Sequence, residues 1–285
     1  TLDRSSAASD VYKRQEYSIP NRWELLTPDL YLSVCELLQQ YTAGQISYRS
    51  LHIAYICKAL NLNPKKIKGT SANENMYLLS EQIDFIFKDP QHINNCFLAQ
   101  LVPVISVNRQ VYKSYMIQTG FDTLTCSLST IQFIEAYDLI GCPIEKLPIM
   151  AAILYCPGTY TSEAAHSLAK GFASLDPVLL QGICLNFQAF SNYLFTRTPF
   201  NILYMRKPKE HKPAISIGMA ESLYNLSADG LGNVDVIEQM PVIKYLTILR
   251  KKLIESVTAM NEAGIDLVEI SDKTGLSIKT IKQII

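Results

Sequence analysis

Apolar residues recur at helical spacing along most of this chain, so the pattern predicts a mainly α protein with minor β structure. The first stripe is Leu30, Val34, Leu37 and Leu38, in a helix expected from Asp29 to about Tyr41. Thr27 caps it and Pro28 fills its first turn. Gly44 ends it, and a second apolar helix is expected from Ser47 to about Leu60. A third is expected over Tyr77 to Phe87, stopped by Asp89-Pro90. Over Leu101 to Val107 the run is β-branched and broken by Pro103. That predicts two short strands or an extended crossing, with Asn108-Arg109 as a turn. Helical spacing then resumes over 128–139, 147–156, 162–174 and 178–195. Val236 to Gln239 is expected as a short helix. A long one comes next, from Pro241 to about Ala263, with Ile243, Leu246, Leu249, Leu253, Val257 and Met260 as its stripe.

Two stretches repeat in outline. Leu26-Thr27-Pro28-Asp29-Leu30-Tyr31 and its continuation can be laid on Leu128-Ser129-Thr130-Ile131-Gln132-Phe133 and its continuation. In each, a Leu-Ser/Thr cap leads a helix, and an apolar helix carrying Tyr and Cys comes after it. A duplicated two-helix unit, spanning 20–90 and 120–200, is therefore expected within one helical domain over 16–205. Arg206-Lys207-Pro208-Lys209-Glu210-His211-Lys212-Pro213 reads as a linker or loop tip. A C-terminal helical unit then covers 214–285. Residues 1–15 are polar, rich in Ser and Ala, and unlike the remainder of the chain. They resemble a translated assembly scar at the end of a metagenomic reading frame and are set aside as a non-native leader.

The last stretch carries the most information. From Ala263 to Ile285 it predicts two short helices around a tight turn at Gly275, where glycine takes a positive φ at little cost. Asp266 and Ser277 are placed to cap them. Leu267, Ile270, Leu276, Ile281 and Ile284 face inward, and small Ser271 lets the helices cross closely. With the long helix before it, 242–285 forms a three-helix unit. This constellation resembles the helix-turn-helix of resolvase-like prokaryotic DNA-binding domains. The resemblance implies a recognition helix from Ser277 to Gln283 that offers Ser277, Lys279, Thr280, Lys282 and Gln283 to DNA. Arg250, Lys251 and Lys252 on the long helix would meet phosphate. The bland alternative is a helical hairpin that serves packing or protein contacts, with the basic residues as the wet side of a packed helix.

Composition narrows the partners. The formal net charge is zero, so any pull on nucleic acid is local. Seven cysteines include no CxxC pair and sit largely in apolar helical runs, which fits buried free thiols in a reducing compartment. No apolar run reaches the ~18 residues of a membrane span, so no membrane partner is expected. The chain carries no GxSxG, GxxxxGK[ST] or GxGxxG. His92 and Cys96 could share a helix face, but without a second ligand pair they predict no metal. Glu135 and Asp138 read as a solvated helix face, and the basic loop around Lys65 and Lys66 as a solvated run. A non-enzymatic protein without a cofactor is expected, in the cytoplasm of a bacterial host cell. The opening Ile19-Pro20-Asn21-Arg22-Trp23 … Leu26-Thr27-Pro28-Asp29-Leu30-Tyr31-Leu32 also resembles small phage tail-module proteins of gut bacteria, tail-assembly chaperones among them. That implies binding to an assembling phage or host protein. Two expectations therefore stand: DNA binding through the C-terminal helices, or protein contacts through the same hairpin.

Overall fold

The computed structural model describes residues 18–64, 67, 70–121, 123–204 and 221–285. The expected leader over 1–15 and linker over 206–213 lie outside these residues. The described chain is mainly helical, with three two-stranded hairpins. It forms two compact units, one ending at Asn94 and one running from Asn95 to Ile285. The break thus falls inside the stretch that the sequence reads as one helical domain, and it separates the two candidate repeats.

The first unit is built on α1 (Pro28–Thr42), α2 (Tyr48–Ala59) and α3 (Thr70–Glu81). Thr27 Oγ1 accepts from the Leu30 amide and Ser47 Oγ from the Ser50 amide, so a side chain caps each of the first two helices as the sequence requires. Tyr31, Val34, Leu51, Tyr55 and Ile56 are fully buried between them. Trp23 packs edge-on to Phe85, with ring centroids 5.3 Å apart, and Phe85 packs in turn against Tyr55. The expected helix from Tyr77 to Phe87 is corrected here. α3 stops at Glu81, and Phe87 opens strand β1 (Phe87–Asp89), which pairs antiparallel with β2 (His92–Ile93). The reason is burial: Phe85, Ile86 and Phe87 are all buried, and three consecutive residues of a helix cannot share one face.

The second unit opens on an extended segment and two hairpins. β3 (Val104–Val107) pairs with β4 (Gln110–Lys113), and the expected Asn108-Arg109 turn has both residues at positive φ, 49° and 67°. That is the backbone of a type I′ hairpin turn. β5 (Ile117–Gly120) pairs with β6 (Thr123–Cys126), a hairpin that the hydrophobic pattern does not predict. Helices α4 (Thr130–Asp138), α5 (Leu147–Leu154), α6 (Ser162–Phe172) and α7 (Pro177–Arg197) come next. α7 is the spine of the unit, with Phe187, Ala189, Phe190 and Leu194 fully buried. Its buried Asn186 fastens the extended segment. Nδ2 donates to the Ala99 carbonyl at 2.6 Å, and Oδ1 accepts from the Leu101 amide at 2.7 Å. A buried amide satisfied on both sides fixes register as well as position.

The chain then passes through α8 (Asn201–Tyr204), α9 (Glu221–Ala228), α10 (Val234–Glu238), α11 (Val242–Glu262), α12 (Leu267–Thr274) and α13 (Ile278–Ile284). The start of α11 is tied to the start of α4: the Thr130 amide donates to the Met240 carbonyl at 2.8 Å, and the Val242 amide donates to the Leu128 carbonyl at 3.0 Å. Of the stripe read in sequence, Leu246, Leu253 and Val257 are buried and Ile243, Leu249 and Met260 half-buried, while Val242 and Tyr245 add fully buried positions at the start of α11. No helix among the described residues is long and apolar enough to cross a membrane.

Candidate nucleic-acid interface

The last three helices assemble from the signals the sequence carries. Asp266 accepts from the Val268 amide at 2.9 Å and Ser277 from the Thr280 amide at 3.1 Å, so α12 and α13 each begin on a side-chain cap. Gly275 sits at φ +73°, and its amide donates to the Ser271 carbonyl at 2.8 Å. This left-handed residue closes α12 and turns the chain into α13. Ser271 is more than a small residue at a crossing. It is buried, and its hydroxyl donates to the Leu276 carbonyl at 2.6 Å, which bridges the turn.

Leu253 and Val257 of α11, Ile270 of α12, Leu276 of the turn and Ile281 of α13 form one buried cluster. Met260, Ile265, Leu267 and Ile284 pack around it. So do Ile202 and Leu203 of α8, which come from before the expected linker. α13 is therefore two-sided. Thr280, Ile281 and Ile284 turn inward, whereas Ile278, Lys279, Lys282 and Gln283 are exposed or nearly so on the opposite arc.

The expected contact residues divide accordingly. Ser277 is exposed, although its hydroxyl already caps α13. Lys279, Lys282 and Gln283 are exposed, and among the described residues their side chains enter no hydrogen bond or ion pair. Thr280 is corrected. It is buried, and its hydroxyl shares a hydrogen bond of 2.8 Å with Ser277 Oγ, so it faces the core side of the helix. The basic cluster of α11 carries contacts of its own. Arg250 Nε donates to the Pro199 carbonyl at 3.1 Å, Lys251 lies 3.6 Å from Glu255, and Lys252 is paired with Asp229. These three side chains have partners within the protein, whereas those of Lys279 and Lys282 on α13, and of exposed Lys244 on α11, have none among the described residues.

The remaining candidate chemistry resolves into structure. Burial pushes the Cys35 and Cys126 thiols up to about 12 and Cys184 to about 11, so none is a thiolate nucleophile near neutral pH. Glu135 does not sit on a solvated face as expected. It accepts hydrogen bonds from the hydroxyls of Tyr160 and Ser162. Desolvation, and after it the Glu135 charge, raise the neighbouring Asp138 carboxyl. His92 lies in β2, not on a helix face with Cys96. Among the described residues no three His, Cys, Asp or Glu side chains converge as metal ligands. His52 is buried on α2 with its ring edge-on to Tyr48, centroids 4.4 Å apart. Its Nε2 has no hydrogen-bond partner among the described residues, and burial lowers its pKa. No family model, curated protein or solved structure matches the chain.

Proposed function

We propose that α11 to α13 form a helix-turn-helix whose last helix binds DNA, in a non-enzymatic protein of a phage or mobile element acting in the bacterial cytoplasm. The observation that carries this reading is the outer face of α13, where Lys279, Lys282 and Gln283 stand exposed and uncommitted opposite a packed inner face. Lysine ammonium groups meet phosphate, and a glutamine amide reads adenine in the major groove. A neutral chain with two such lysines gives a short electrostatic footprint, so affinity falls only modestly with salt. The test is a titration of the protein with random duplex DNA at two salt concentrations, beside Lys279→Ala/Lys282→Ala. The slope of log affinity on log salt should become shallower by about 2 in the double variant, close to one unit per phosphate contact. Absence of binding at low salt would sink the reading.

One observation favours a second reading. Ile278 lies among the exposed residues of the same arc at 39% exposure, and Val268 of α12 is 55% exposed. Apolar side chains at a free helical hairpin suit contact with another protein, as in a phage tail-assembly or structural protein. Persistent protein capture with no DNA binding is its signature. We also read α1–α2 and α4–α5 as copies of one two-helix unit. In support, each pair opens on a hydroxyl cap, Thr27 or Ser129, that accepts from the amide three residues on.

A further inference from the structure

Beneath the β5–β6 hairpin lies a cleft of about 710 Å³, within the ~300–1,000 Å³ typical of small-molecule sites. Phe121 and Leu124 of the hairpin, Phe200 and Ile243 supply apolar walls, and Thr119 and Thr123 add hydroxyls at the rim. Tyr193 and Arg197 enter from the last turns of α7. They are four residues apart, so they project from one face of that helix. Neither side chain has a hydrogen bond, and Arg197 has no ion pair, among the described residues. Among the described residues that line the cleft, Arg197 is the one charged side chain.

A second feature converges on the same place. Phe121, at the hairpin tip, holds φ +42° with its ring fully exposed. A bulky residue in the left-handed region is uncommon and costs about 1–3 kcal/mol of backbone strain. An exposed aromatic ring gains nothing from burial to offset that cost.

We infer that this cleft binds a small apolar carboxylate. The guanidinium of Arg197 receives the carboxylate through its planar fork, and the Tyr193 hydroxyl donates beside it. The body of the ligand, one or two rings in size, lies along Phe200 and Ile243 with Phe121 closing over it. A single cation matches a monoanion. A phosphate dianion would leave a second negative charge without a cation among the described lining residues. The inference stands on the cleft alone and does not depend on DNA binding.

The test is calorimetric titration of the full chain with two probes of one shape, 2-naphthoate and neutral 2-naphthamide. The acid should bind at least about tenfold tighter than the amide. Arg197→Gln should erase that preference, and Phe121→Ser should weaken both probes by about tenfold. Both substitutions are at exposed positions, and unchanged thermal unfolding would confirm that the variants fold. The inference is overturned if neither probe binds at about 1 mM, if acid and amide bind equally, or if Arg197→Gln keeps the preference.

Discussion

His52 is neutral where it lies. Its ring is held among Tyr48 and Phe87, and protonating it would bury a charge with no partner at Nε2. Burial puts its folded pKa below the usual value of 6.5, so between those two values the unfolded chain binds the extra proton. Stability of the first unit is therefore fully present above about pH 6.5 and declines as pH falls through that window. Urea melts should show this decline in the native protein, and His52→Phe should flatten it between pH 7 and pH 5. An equally steep decline in the variant would contradict the assignment. Nothing in the sequence announces this residue. A histidine on an apolar helix is ordinary, and the strand residue Phe87, distant in sequence, joins Tyr48 against its ring only in the fold.

At the scale of elements, the turns and caps were the most legible features, because their chemistry is local. Asp266, Gly275 and Ser277 each do what residue type and spacing dictate. Asn108-Arg109 forms its turn for the same reason. The β5–β6 hairpin is hard to read because its signal is weak: Gln118, Thr119, Gly120, Thr123 and Thr125 are exposed, and a phenylalanine stands at the bend. A two-sided polar strand pair has little periodicity to read. The contact set of α13 was legible only in part, since Thr280 lies at a boundary position where one step of helical rotation decides burial. The turn itself offers a direct measurement. Gly275→Ala forces a Cβ into the left-handed region and should destabilise the terminal helices by about 1 kcal/mol in denaturant melts. Gly275→Asn should cost less, because asparagine tolerates that conformation. Equal stability of Ala and Gly variants would show that the turn relaxes.

For the molecule as a whole, composition was a poor guide to where the charges work. The triplet Arg250-Lys251-Lys252 reads as a basic patch, yet each member is bound to a partner in the fold, two of them brought close only by tertiary structure. Domain boundaries were hidden for a related reason. The charged run at 206–213 looks like the natural joint, but Ile202 and Leu203 on its N-terminal side pack onto the core of the last three helices. A fragment from 214 to 285 lacks both side chains and should melt about 1–3 kcal/mol less stable than one from 198 to 285, given partial burial of two aliphatic groups. Circular dichroism of the two fragments checks this, and equal melts would show the α8 contact to be dispensable. The unit of inheritance differs from the unit of sequence appearance. A recombination that grafted this tail onto another body at the charged run would deliver an unfinished core, whereas one that carried Asn201–Tyr204 across would keep Ile202 and Leu203 on it.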